Sequence, residues 1–391
     1  MDLNKLRNFD LQSFLNDDEK HNIFRLKKEY GNLSPILADQ LTIYKQAATK
    51  LPLFAEKYCY FNKKSFEQSS SERAAQYKAT LFSGNSVLDL TGGLGVDDWA
   101  FAKTFKKVIS IDKESSLNEL VRINFEKLGI TNAERLNADA YEFIKTDASY
   151  DLIYIDADRR SSAKKAVTPE NSEPNVLRIL PRLFELSANI LIKLSPLIDI
   201  TYLIKILPGI KDIQVVSVDN EVKEVLVLLH KDQQDKTRIH AAELSGNETV
   251  KLFSPAAGTK IKIDVSDTGK YFYEPAASII KAGLVNEYAA INGLNTISKN
   301  SVFLTGNVEI KDFIGRQFII ITQMQFGKSL LKKYLKEFNI VKANVSCRIF
   351  PVKEEEIKKS FGLNDGGDEY LFLTTGSEKQ KIFFHCRKLI H

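Results

Sequence analysis

The chain has 391 residues, of which 43% are hydrophobic and 27% charged, with a formal net charge of +5. That length exceeds one ordinary core, so two or three domains are expected. No apolar run approaches the roughly 20 residues that cross a bilayer, and the charged start MDLNKLRNFDLQSFLNDDEK excludes a secretory signal, so the expectation is a cytoplasmic protein with no membrane partner. Cys59, Cys347 and Cys386 are odd in number and far apart, with no C-x-x-C pair. They support neither a disulfide framework nor a zinc site, and no metal is expected.

Residues 1–80 read as an N-terminal helical region, with amphipathic stretches at 20–30 and 34–48 and breaks at Gly31, Pro35 and Pro52. The run QSSSER (68–73) offers serine N-caps followed by an acid, the signature of a helix start. That helix carries Tyr77 and Lys78 toward the next element.

The segment SVLDLTGGLGVD (86–97) is an apolar strand candidate ending in Asp89, a glycine-rich turn, and a helix opened by acid. Gly92, Gly93 and Gly95 allow a sharp turn whose backbone can approach a ligand closely. The helix suggested by Val96, Trp99, Ala100 and Phe101 would present free N–H groups to it. The spacing departs from the dinucleotide fingerprint, because Asp98 stands where a small residue is needed. Asp97 and Asp98 would repel a pyrophosphate but suit a ligand carrying positive charge. S-adenosylmethionine, with a sulfonium and an amino group, is such a ligand.

A second strand candidate, KVISID (107–112), ends in Asp112, where a carboxylate could grip a ribose diol. Leu117, Leu120, Val121, Phe125 and Leu128 recur at helical spacing up to Gly129. A third strand at 133–136 leads to Asp139, placed either to bind an adenine amino group or to cap the following helix. The fourth, YDLIYI (150–155), runs into Asp156-Ala157-Asp158-Arg159-Arg160. Ligands of open α/β sheets bind beyond the carboxyl ends of strands, so this cluster should face the same crevice as the glycines. Strands at 189–193, 213–217 and 225–230 follow. The short link 219–224 makes the last pair a hairpin, with one antiparallel strand in an otherwise parallel sheet.

DLTGGLGVD, Asp112, Asp139 and a strand ending in Asp-Ala-Asp-Arg-Arg together resemble a class I S-adenosylmethionine-dependent methyltransferase. More narrowly, they resemble the bacterial type with a THUMP-like, ferredoxin-like C-terminal region, regarded as RNA methyltransferases. Those proteins carry Asp-Pro-x-Arg-Arg after the fourth strand, matched here except for Ala157. The resemblance is good over 85–230 and looser in FEQSSSERAAQYKA and YFYEPAASIIKAGL. It implies an α/β, Rossmann-like sheet at 81–232, between the helical region 1–80 and a C-terminal α+β region at 233–391.

Carried over, it assigns the methionine end of the cofactor to the loop from Asp89 to Gly95, including Thr91, which stands where many members have glycine, with Asp97 beside it. Asp112 would take the ribose and Asp139 the adenine, while Asp156, with Asp158, Arg159 and Arg160, forms the methyl-transfer site. Tyr77, Lys78, Glu274 and Lys281 lie in flanking segments that border the crevice in that family. For Tyr77 and Lys78 a plain packing helix is the preferred reading, and Glu274 has the alternative of a helix-opening acid.

Past the linker candidate KDQQDK (231–236), strands are expected at 249–253, 260–265, 318–322, 345–352 and 370–374, and helices at 275–283 and 328–338. Lysines cluster in GKSLLKKYLKEF and recur at Lys379, Lys381 and Lys388 beside Arg387, suiting either a phosphate backbone or the wet face of an amphipathic helix. No cysteine lies in 85–230, which turns the expectation from thiolate-assisted carbon methylation to direct transfer onto nitrogen or oxygen. The reading is a methyltransferase with RNA as substrate. The alternatives are a small-molecule or protein methyltransferase, or a non-catalytic RNA-binding scaffold that keeps the fold.

Overall fold

The computed structural model describes residues 3–17, 23–159, 168–246, 249–256, 261, 263–265, 268–298, 301–376 and 379–389. They form two compact units, one of Met1–Ile213 with Lys223–Thr237 and one of Gln214–Val222 with Arg238–His391.

The first unit is built on strands β1 (Gly84–Asp89), β2 (Phe105–Asp112), β3 (Ala133–Asn137), β4 (Leu152–Asp156), β5 (Asn189–Leu194), β6 (Ile210–Val218) and β7 (Glu221–His230). They run in the order β3-β2-β1-β4-β5-β7-β6, and the later residues of β6 and the first of β7 are counted with the second unit. β1 is parallel to β2 and β4, β2 to β3, and β4 to β5, whereas β7 is antiparallel to β5. Ile153, Tyr154 and Ile155 are fully buried, as are Val87 and Leu88, which is why these strands read as unbroken apolar runs. The order reverses between β1 and β4, opening a crevice at their carboxyl ends, where Asp89 and Asp156 stand.

The N-terminal helices are latched to this sheet unit by polar groups inside an apolar interface. Asn124, fully buried on helix Ser115–Lys127, accepts from Tyr60 N–H at 2.7 Å and donates to Tyr60 C=O at 2.8 Å. Ser71 caps helix Glu72–Thr80, as the serine run suggests. The acid in its first turn does something else: Glu72 reaches back to accept from the N–H groups of Leu53 and Phe54, capping helix Pro52–Glu56.

In the second unit, strands Arg238–Ser245 and Thr249–Phe253 pair antiparallel. A further sheet runs Asn295–Thr296, Leu304–Gly306, Tyr271–Pro275, Gly315–Gln325, Lys381–Lys388, Glu369–Thr375, Asn344–Cys347. Leu331, Tyr334 and Leu335 of helix Lys328–Glu337 pack with Ile357 of helix Glu354–Phe361 on Leu371, Leu373 and Phe383. Two expectations are corrected here. No strand forms among the described residues of 260–265, where Val265 makes only an isolated bridge to Thr296. Glu274 and Pro275 close a strand and the helix begins at Ala277, so Glu274 is not a helix-opening acid.

Asn124→Ala removes both latch bonds and leaves the Tyr60 N–H and C=O buried without partners, an expected loss of about 1–3 kcal/mol. Urea unfolding should show a lower midpoint at unchanged slope. An unaltered midpoint would show that the latch contributes nothing.

Candidate active site

The glycine loop is held from below by Arg135, whose side chain is fully buried. Its guanidinium donates to Asp98 at 3.0 Å, Ser110 Oγ at 2.7 Å, Gly93 C=O at 2.6 Å and, through Nε, Asn118 Oδ1 at 2.7 Å. Gly92 is required for this: a Cβ there would lie 1.8 Å from Arg135 Nη1 and 2.1 Å from Ser110 Oγ. Gly95, at φ +77°, begins helix Val96–Phe101, and its Cβ position falls 2.8 Å from Val121. Gly93, at φ +46°, faces open space, with only Thr91 C=O within 4 Å of a Cβ. The loop is thus packed tightly at Gly92 and Gly95 and open at Gly93.

Thr91 explains itself in this setting. Its N–H and hydroxyl donate to Asp89 Oδ1 at 2.7 and 3.2 Å, and its hydroxyl accepts the Asp156 N–H at 2.7 Å. A glycine could not tie the ends of β1 and β4 together in this way.

Asp97 and Asp98 are both neutralised from within the protein. Asp98 meets Arg135 and Ser110, and Asp97 Oδ2 accepts from Ser70 Oγ and the Tyr154 hydroxyl, each at 3.0 Å. Lys78 Nζ lies 3.1 Å from Asp97 Oδ1 and 2.9 Å from Glu224, with no solvent exposure. The sequence argument that both acids await a cationic ligand therefore fails for Asp98. Burial lowers the Lys78 pKa, but Asp97 and Glu224 outweigh it and hold the ammonium above its usual range. Burial pushes Asp89 well up, and the neighbouring Asp98 pushes it further. Asp98 is raised by burial against the pull of Arg135.

Above these buried pairs lies a cleft of about 800 Å³. Thr91, Gly92, Gly93, Gly95, Asp97, Asp112, Asp139 and Asp156 all line it. Asp112 accepts the Gly93 N–H at 3.3 Å and the Glu114 N–H at 2.9 Å. Asp139 caps helix Ala140–Phe143 while also lining the cleft, so the two sequence readings of it coexist geometrically. Asp89 is 1% exposed and shapes the loop from beneath. Tyr77 and Lys78 are likewise buried and are not among the lining residues. Glu274 and Lys281 belong to the second unit, where buried Glu274 pairs with Arg316. Arg160 lies outside the described residues, as do the side chains of Asp158 and Arg159, whose backbone forms a short strand paired with Ser172–Glu173.

Two cleft or sub-cleft residues escaped the sequence reading. Lys193 on β5 sits directly opposite Asp156 of β4 in the parallel register and forms an ion pair with it. Burial opposes its charge, but Asp156, Glu224 and Asp97 hold the ammonium above its usual range. Glu224 on β7 anchors Lys78. Both carried a signal, a lone charged residue bounding or interrupting an apolar strand, in NILIKL and EVLVLL. Among the described residues no group of three or more His, Cys, Asp or Glu side chains could hold a metal ion. No helix of the described residues is long and apolar enough to cross a membrane.

A family model described as THUMP domain-like matches residues 315–388. Two curated Mycobacterium tuberculosis proteins, each described as an uncharacterized S-adenosylmethionine-dependent methyltransferase, are 22% identical over 93% of this chain and 99% of their own length. A provisionally named methyltransferase from Porphyromonas gingivalis W83 has a crystal structure that matches at a TM-score of 0.85 and 27% identity, covering 97% of this chain and 98% of that one.

The Asp89 and Asp98 pair sets a pH dependence of stability. A carboxyl raised above its unfolded value, near 3.9, contributes fully below that value, and the contribution is lost as pH rises through the native pKa. Asp89→Asn keeps an acceptor for Thr91 but has no proton to lose. Urea unfolding from about pH 4 upward should show wild-type stability falling relative to this variant. A difference that stays constant with pH would contradict the raised Asp89 carboxyl.

Proposed function

We propose that this S-adenosylmethionine-dependent methyltransferase acts on RNA, transferring the methyl to a nitrogen or oxygen of the nucleic acid. The observation that carries the RNA reading is the THUMP-like segment of the same chain. Its helix Lys328–Glu337 buries Leu331, Tyr334 and Leu335 and exposes Lys328, Lys332, Lys333 and Lys336. An exposed row of cations on a helix anchored by its other face is suited to a phosphate backbone.

The cleft fits the cofactor by its shape and its donor set. A Cβ at Gly93 would enter the open space, so the loop leaves a cradle there. Buried Oδ1 of Asp97 has the Lys78 ammonium 3.1 Å away but accepts no hydrogen bond, leaving a lone pair for an amino group. Asp112 and Asp139, at the ends of β2 and β3, supply acceptors for a ribose diol and an exocyclic amine. When bound, the cofactor supplies a methyl already activated on a sulfonium.

What remains for the protein is alignment and a polar group at the acceptor. Asp156 fills that role. Its backbone is fixed to the loop through Thr91 and its carboxylate lines the cleft, placed to accept a hydrogen bond from the acceptor hydroxyl or amine. Asp89 and Thr91 act by positioning, since they join the loop to β4.

Total bacterial RNA incubated with the full chain and methyl-labelled S-adenosylmethionine should acquire label. The rate under limiting RNA should fall steeply with salt, as counterion release requires. Asp156→Ala is expected to lower kcat by roughly 100-fold. Label confined to a protein or small-molecule fraction would overturn the RNA reading.

A further inference from the structure

We propose that the methyl acceptor in this cleft is a ribose 2′-hydroxyl, held between Asp156 and Lys193, which makes Lys193 a catalytic residue alongside Asp156. This rests on the RNA reading above and names the acceptor within it.

The first observation is the register. Asp156 and Lys193 stand opposite each other at the carboxyl ends of adjacent parallel strands, ion-paired, and both line the cleft. Their side chains are 28% and 15% exposed, so the pair is open to a ligand. Lys193 is kept protonated by three carboxylates and is a fixed cation at the transfer site, not a base.

A fixed cation discriminates between acceptors. A neutral amine attacks with its own lone pair and becomes positive, which a neighbouring ammonium opposes. A hydroxyl is a poor nucleophile until its proton moves, and the oxygen then takes on negative charge, which the same ammonium stabilises. In the step itself, the hydroxyl proton passes to the Asp156 carboxylate and the oxygen's electron pair forms the new O–C bond. The pair of the broken S–C bond stays on sulfur as a thioether.

The cleft wall points the same way. A ribose 2′-hydroxyl lies next to backbone phosphates, and Lys64 and Lys223 line the cleft together with Lys193. Lys50 stands close behind them, its pKa lowered to about 8 by burial and then by the charges of Lys193 and Lys223. The rest of the lining comprises a further lysine, Lys113, the amide of Gln68, carboxylates, hydroxyls, glycines and aliphatic side chains, with no aromatic ring among the described residues. An extruded base is ordinarily read by stacking on such rings, whereas a ribose needs none.

The test is the chemical position of the label in RNA methylated by the full chain. A 2′-O-methyl group blocks alkaline cleavage, so label should appear in alkali-stable dinucleotides. Label in methylated bases would overturn this proposal and leave the RNA reading standing; no label in RNA would overturn both. Alongside, Lys193→Met should lower kcat by on the order of 100-fold, with part of the rate recovered in Lys193→Arg. Calorimetric affinity for S-adenosylhomocysteine should change little in either variant. Full kcat in Lys193→Met would also overturn the proposal.

Discussion

The ammonium of Lys78 is the contact on which the site depends. It comes from the helix preceding β1, has no solvent exposure, and meets Asp97 from the helix after the glycine loop and Glu224 from the antiparallel strand β7. Without it Glu224 would bear a hydration cost of several kcal/mol, and Asp97 would keep only the hydroxyls of Ser70 and Tyr154. One side chain therefore makes three separate stretches of sequence mutually necessary. It also fixes Asp97 at the cleft wall, and the field of that acid and of Glu224 helps keep Lys193 charged.

The same logic repeats beneath the loop. Arg135 compensates Asp98 and reaches Gly93 C=O, so the conformation of the turn is set by a buried guanidinium as much as by glycine. Gly92 is glycine because that guanidinium occupies the place of its Cβ. The cleft has a floor of paired charges, and the side chains of Asp97, Asp112, Asp139 and Asp156 line it above that floor. Pre-aligned polar atoms suit a transfer in which the leaving group is already activated and alignment supplies most of the acceleration.

How much of this the sequence discloses depends on the range of each signal. β1 to β4 are legible because parallel strands buried on both faces are locally apolar, and the glycine turn and terminal acids sit at their ends. The β6 and β7 pair was legible from its short link. The partners of the charged residues were not. That Lys193 faces Asp156 depends on the register of two strands joined through a long crossover, and that Lys78 meets Glu224 depends on the whole sheet order. In the second unit, strands Arg238–Ser245, Tyr271–Pro275 and Lys381–Lys388 mix polar with apolar residues, and their pattern is decided by non-local pairing. Among the described residues of 260–265 there is only the isolated Val265 bridge, since alternation alone does not provide a neighbour to pair with.

Whether the floor of paired charges carries a cofactor cleft is decided by calorimetric titration of the intact protein with S-adenosylmethionine and S-adenosylhomocysteine. Saturable binding of both is expected, abolished by Gly93→Asp, which fills the cradle, and weakened by Asp112→Ala by about 1.5–3 kcal/mol, the worth of a hydrogen bond to a charged group. No binding by the folded wild-type protein, or binding indifferent to both substitutions, would contradict it.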